Sequence, residues 1–83
     1  MDTFVLPDGE GGYYVETPAP EAQRVGQFVY QPDGTITIQV HVAANNEQAS
    51  PLWGVDPGPH ADIVAAMEAV SGRLGGTCER YQP

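Results

Sequence analysis

The chain has 83 residues, of which eleven are Asp or Glu and three are Arg or Lys, and its formal net charge at pH 7 is −8. All three cations are arginines, whereas residues 1–23 carry five carboxylates and no base. Such a charge opposes direct binding to nucleic acid or to an anionic membrane and favours a basic protein surface as partner. The alternative is that the acidity only keeps a small protein in solution.

The short length predicts a single domain, residues 1–83, whose core is near the lower size limit for independent folding. The sequence has no apolar run long enough to span a bilayer, and residues 1–7 lack the basic start and long apolar stretch of a signal peptide. We therefore expect a cytoplasmic protein. Cys78 is the only cysteine, so a reduced thiol is expected, and a disulfide between two chains stays open.

Two short apolar segments come first in the chain. Phe4-Val5-Leu6 predicts a short edge strand that ends at the turn residues Pro7-Asp8-Gly9. Tyr13-Tyr14-Val15-Glu16-Thr17 has the aromatic and β-branched content of a strand and ends before Pro18. We expect this second segment to be a third strand beside a central hairpin.

Residues 25–42 predict that hairpin. Its turn, Gln31-Pro32-Asp33-Gly34-Thr35, has the pattern of a three-residue loop, in which Pro32 presets φ and Gly34 supplies a positive φ. The turn fixes a register that puts the large apolar residues on one face, because side chains alternate along each strand. The expected pairs are Tyr30 with Ile36, Phe28 with Ile38, and Gly26 with Val40.

The opposite face of the hairpin carries no formal charge. Its residues are Gln27, Val29, Gln31, Thr35, Thr37, Gln39 and His41. A solvated antiparallel face usually carries charges that discourage further pairing. The neutral face therefore predicts a cover, either the N-terminal segment or another molecule.

A long loop, residues 43–59, contains the only tryptophan, Trp53. This side chain either anchors an interface or folds back to close the small core, and both interpretations stay open. A helix of about residues 60–74 follows, with Gly58 as its cap and Pro59 in its first turn, and Gly75-Gly76 ends it before a short tail.

The predicted fold is therefore α+β: a small antiparallel sheet of three to four strands around the 25–42 hairpin, with one C-terminal helix packed on one face. The apolar stripe of the helix faces the sheet. The expected core residues are Phe28, Tyr30, Ile36, Ile38, Val40, Ile63, Met67, Val70 and Leu74.

No pattern in the sequence predicts catalysis, a metal site or a cofactor. Gly9-Glu10-Gly11-Gly12 is rich in glycine, but it lacks the lysine and the following helix of a phosphate-binding loop. His41 and His60 lack the spacing of zinc ligands. We therefore predict a non-enzymatic binding protein without cofactor or metal.

Two features favour binding to a protein: the acidic N-terminal third and the apolar pair on the long loop. A surface that attracts DNA phosphates also attracts a compact array of carboxylates, and such binding weakens with salt. The candidate partner-binding residues are Asp8, Glu10, Glu16, Glu21, Leu52, Trp53 and Asp56.

In size, acidity, lack of lysine and order of sheet and helix, the chain resembles small phage-encoded anti-CRISPR proteins. The resemblance implies an inhibitor that occupies the basic DNA-binding surface of a CRISPR effector complex, in the cytoplasm of the host bacterium if the gene belongs to a phage. Two alternatives stay open. One is a small phage structural or assembly subunit that oligomerises through its neutral sheet face, and the other is an immunity protein or antitoxin against a basic nuclease.

Overall fold

A computed structural model of the chain describes residues 1–18, 20, 22–41 and 50–81. These residues form one sheet and one helix, so the predicted α+β class is confirmed. The elements are β1 (Thr3–Pro7), β2 (Tyr13–Glu16), β3 (Arg24–Tyr30), β4 (Ile36–Val40), α1 (Ile63–Leu74) and β5 (Cys78–Arg80).

The sheet differs from the prediction in strand number and in direction. It has five strands in the order β4-β3-β2-β1-β5, and β5 runs parallel to β1, so the sheet is mixed rather than antiparallel. β5 lies in the segment expected to be a tail. It is held beside the start of the chain, where Thr3 N donates to Thr77 O at 2.8 Å and Thr77 N donates to Asp2 Oδ1 at 3.0 Å.

The hairpin and its register are confirmed. Gly26 pairs with Val40, Phe28 with Ile38, and Tyr30 with Ile36. In the turn, Gln31 N donates to Thr35 O at 2.8 Å, and Gly34 has a φ of 86°. The local turn chemistry is therefore sufficient to fix which residues of the two strands face each other.

The core lies between the helix and one face of the sheet. Its buried members are Val5, Val15, Val25, Phe28, Ile36, Ile38, Leu52, Val55, Ile63, Ala66 and Val70. The prediction for Tyr30 is wrong, because this side chain stands at the end of β3 and is 44% exposed. The expected core residues Val40, Met67 and Leu74 are only partly buried at its margin.

The helix begins later than predicted. Asp62 is its N-cap and accepts a hydrogen bond from Ala65 N at 2.8 Å, so the assignment of Gly58 as the cap and of Pro59 to the first turn is wrong. Before Asp62 the chain is paired with the sheet at one residue, His60, which exchanges backbone hydrogen bonds of 2.7 and 2.9 Å with Ile36 along the edge of β4. The predicted end is confirmed, since Gly75 is left-handed and its N–H donates to Ser71 O.

Candidate functional site

One end of the sheet carries a group of carboxylates. The β1–β2 turn holds Asp8 and Glu10, and the β3–β4 turn holds Asp33. Both turns lie at the same end because β1 and β3 run in one direction and β2 and β4 in the other. Asp62 is at this end too, since it follows His60, which pairs with the first residue of β4. We call Asp8, Glu10, Asp33 and Asp62 the acidic end.

Hydrogen bonds hold two of these carboxylates in the ionised form. Asp8 accepts from Glu10 N at 2.7 Å, from Gly12 N at 3.0 Å and from Gln27 Nε2 at 3.1 Å. The Glu10 N–H makes the largest contribution to lowering the pKa of Asp8 below its ordinary value. The Thr35 hydroxyl, followed by the Thr35 N–H, lowers the pKa of Asp33 in the same way. Donors to a carboxylate favour its charged form.

Glu16, another predicted site residue, is separated from the acidic end. It is the last residue of β2, at the opposite end from the β1–β2 turn. Its carboxylate forms an ion pair with Arg24 Nε at 3.2 Å, and the Arg24 guanidinium lies 3.9 Å from the centre of the Tyr14 ring. Its negative charge is therefore partly offset. Glu21 lies outside the described residues.

The structure separates the two apolar residues that were expected to act together. Leu52 is fully buried in the core, so its side chain does not reach a partner and its assignment to the binding surface is corrected. Trp53 is 41% exposed, which places it on the surface rather than in the core. Its carbonyl oxygen accepts a hydrogen bond from Arg73 Nε at 2.6 Å. Backbone hydrogen bonds of the turn at residues 50–55 and the buried side chain of Val55 hold Trp53 in place at the surface.

Asp56, the remaining predicted site residue, is exposed on the segment that runs along β4. Its Oδ1 accepts from Gly58 N at 3.0 Å, and its backbone oxygen lies 2.9 Å from His60 Nε2. The neighbouring Pro57 carbonyl accepts from Ile38 N at 3.0 Å. This segment thus occupies the free edge of β4 and keeps Asp56 at the margin of the sheet.

Within residues 1–18, which the structure describes, the N-terminal segment does not cover the neutral face of the hairpin, which we call the open face. β1 and β2 continue the sheet edge to edge, so their outward side chains extend the same face, and α1 packs on the other side. Several polar side chains on the open face bind one another. Gln31 Nε2 donates to Thr37 Oγ1 at 2.9 Å, and His41 Nε2 lies 3.5 Å from Gln27 Oε1.

Sequence reasoning missed an apolar groove on this open face. Its lining residues are Phe4, Leu6, Glu16, Thr17, Pro18, Ala22 and Tyr81, and its volume is about 430 Å³. Phe4 and Leu6 point away from Val5, which is buried in the core. The alternation of side chains along residues 3–7 could have predicted that Phe4 and Leu6 share a face. Three consecutive apolar residues are equally typical of an edge strand without a groove.

Cys78 is half-buried in β5, and burial raises the pKa of its thiol above the ordinary value. Among the described ranges, no three His, Cys, Asp or Glu side chains are placed to hold a metal ion. Within the same ranges, no helix is long and apolar enough to cross a membrane.

Comparison with known protein families, curated proteins and solved structures finds no match for this chain.

Proposed function

We propose that this chain is a non-enzymatic protein that binds a basic, nucleic-acid-binding partner and blocks its access to nucleic acid. The observation that carries the proposal is the acidic end, where Asp8, Glu10, Asp33 and Asp62 come from two turns and a helix start. Hydrogen bonds fix the carboxylates of Asp8, Asp33 and Asp62, so these three present negative charge to a partner at a low cost in side-chain entropy.

The whole molecule supports the same interpretation. Its net charge of −8 steers it toward positive surfaces and away from DNA, RNA and anionic lipid. Its three cations are Arg24, Arg73 and Arg80. Arg24 is paired with Glu16, and Arg73 donates to the backbone carbonyl of Trp53, so neither of them forms an ion pair with a carboxylate of the acidic end. A surface that attracts DNA phosphates through lysine and arginine would attract this end of the sheet for the same reason.

The resemblance to anti-CRISPR proteins gives the proposal its most specific form, in which the partner is a CRISPR effector complex. A basic nuclease neutralised by its immunity protein or antitoxin has the same electrostatic requirement. The two forms differ in the partner, so identification of the bound protein separates them.

The test is affinity capture from a bacterial lysate at about 0.05 M and about 0.5 M salt, with the bound proteins identified by mass spectrometry. We expect a nucleic-acid-binding protein or complex at low salt and its loss at high salt, since screening weakens exposed charge pairs. Capture that resists salt, or that brings down only proteins without a basic surface, would contradict the proposal.

A matched pair of charge reversals locates the contact. Glu10→Lys changes the acidic end, whereas Glu68→Lys makes the same change in net charge on the exposed side of α1. Glu10→Lys is expected to weaken capture by about tenfold or more and Glu68→Lys by much less, because short-range charge pairs matter more than net charge. Equal losses in the two variants would assign the effect to net charge alone.

A further inference from the structure

The groove on the open face is formed around Phe4, which has paired residues on the strands at both sides, β2 and β5. Phe4 of β1 pairs with Glu16 of β2 on one side and with Glu79 of β5 on the other. Residues paired across a sheet point to the same face. An aromatic side chain therefore stands on the open face with a carboxylate on each side of it.

The floor of the groove is apolar and accessible. Phe4 and Leu6 are both only partly buried, and Tyr81, which lines the groove beside them, is 51% exposed. The volume of about 430 Å³ lies within the range of about 300–1,000 Å³ that is usual for ligand pockets. It is large enough for a bulky apolar side chain.

The charges at the groove decide which occupant fits. Glu16 lines the groove and shares its carboxylate with Arg24. Glu79 lies beside the groove rather than in its lining, is exposed, and forms no ion pair with any residue that the structure describes. Binding an apolar group here brings these carboxylates close to the occupant, and an occupant with cations beside its apolar side chain pairs with them. A second copy of this chain is a poor match, because each copy carries a net charge of −8.

We propose that this groove binds an amphipathic basic segment of a partner protein. In the bound state an apolar side chain of the segment packs on Phe4 and Leu6, and lysine or arginine residues on either side of it pair with Glu16 and Glu79. The proposal rests on the proposed function for the basic character of the partner. It names a second contact surface, separate from the acidic end, that selects for sequence as well as charge.

The experiment is an NMR titration of ¹⁵N-labelled protein with a synthetic amphipathic peptide of leucine and lysine. A peptide in which glutamate replaces every lysine is the control. We expect the lysine peptide to shift the amide signals of Phe4, Leu6, Glu16 and Tyr81 and the control peptide to leave them in place. Shifts confined to the two turns of the acidic end, or no shifts at all, would overturn the proposal.

Variants test the apolar floor. Phe4→Ser is expected to weaken binding of the lysine peptide by at least about tenfold, as loss of a central aromatic anchor does. Val64→Ser is the matched control, since Val64 is 56% exposed on α1, outside the residues that line the groove. Tyr81→Ser provides a second test of the same floor if Phe4→Ser fails to fold. Unchanged affinity in a folded groove variant would refute the site.

Two further outcomes are decisive. If signals of the open face shift with protein concentration in the absence of peptide, the occupant is a second copy and the proposal is wrong. If the lysine peptide binds in the groove but the chain fails to displace nucleic acid from any captured partner, the groove stands and the proposed function fails.

Discussion

Leu52 and Trp53 are neighbours in the chain, but their side chains have opposite environments. Leu52 is fully buried and Trp53 is 41% exposed. Ser50 Oγ fixes this arrangement, because it donates to Val25 O at 3.1 Å and accepts from Leu52 N at 3.3 Å. The sequence of a loop has no periodicity that tells which side chain turns inward, so only the fold assigns the two roles.

Truncation separates these roles. Leu52→Ala is expected to lower the free energy of unfolding by about 2–5 kcal/mol, because it removes buried methyl groups and leaves a cavity. Trp53→Ala is expected to cost less than Leu52→Ala, since Trp53 is 41% exposed and its removal leaves no enclosed cavity. Urea unfolding followed by circular dichroism measures both. A larger loss for Trp53→Ala would show that the indole belongs to the core.

Substitution of glycine by alanine is expected to have opposite effects on stability at two positions. A Cβ at Gly26 would lie 2.5 Å from Leu52 Cδ1 and 3.0 Å from Gln39 O, whereas a Cβ at Gly72 meets nothing within 4 Å. We expect Gly26→Ala to destabilise by about 1–3 kcal/mol through overpacking. Gly72→Ala should stabilise by about 0.5–1 kcal/mol, because it lies in a helix. Thermal unfolding of both variants checks the pair, and equal effects would contradict the packing at Gly26.

At the scale of elements, the sequence predicts structure that depends on neighbouring residues, such as the hairpin. It does not predict pairing between residues that are far apart in the chain. The register of the hairpin follows from five consecutive turn residues, so it is predictable. β5 forms only because Cys78, Glu79 and Arg80 meet β1, which is more than 70 residues earlier in the chain. A three-residue strand without alternation carries no signal of its own, and its pairing with β1 becomes visible only in the fold.

The start of the helix shows a competition between two local signals. Gly58 and Pro59 have the composition of a helix start, but the backbone at His60 pairs with Ile36 and cannot begin a helix. Asp62 then supplies the cap two residues later. The sequence does not reveal the groove, because the alternation of burial that places Phe4 and Leu6 on one face covers only three residues. With Val5 buried between them, the three residues look like one apolar run.

The cap gives a test at this scale. Asp62→Ala is expected to lower the free energy of unfolding by about 1 kcal/mol, because the N–H of Ala65 loses its acceptor. Glu68→Ala, an exposed change within the same helix, is expected to stay within about 0.5 kcal/mol of the parent. Chemical unfolding of the two variants gives the comparison. An equal effect of both substitutions would argue against a cap at Asp62.

At the scale of the whole molecule, the response to acid follows from the lowered pKa values of Asp2, Asp8 and Asp33. A carboxyl group whose pKa is lower in the folded state stabilises the fold above its unfolded pKa, near about 3.9. That contribution is lost as the pH falls through the lower folded value. The stabilising effect of these three groups is therefore present at neutral pH and disappears in strong acid.

Asp33→Asn tests the sign of this dependence. The variant is expected to be less stable than the parent at neutral pH. The difference should shrink as the pH falls below about 4, because the unfolded parent chain takes up the proton first and the folded parent only at its lower pKa. Urea unfolding across the acid range measures the difference. A difference that stays constant from neutral pH to strong acid would show that the charge of Asp33 has no part in it.

From the charge of the molecule and the geometry of its sheet, we propose that the acidic end competes with nucleic acid for a basic protein surface. Asp8, Glu10, Asp33 and Asp62 are the residues on which this claim rests. Glu10→Lys and the matched Glu68→Lys distinguish a local contact from an effect of net charge. In this proposal, the groove around Phe4 would add selectivity, and the competition would not require it.

The most direct measurement is displacement of a fluorescent DNA from the captured partner by this chain, followed by anisotropy over a range of salt concentrations. The account predicts stoichiometric displacement at low salt, weaker displacement by Glu10→Lys and nearly unchanged displacement by Glu68→Lys. Binding of the chain and the DNA to the partner at the same time, without competition at any salt concentration, would contradict it.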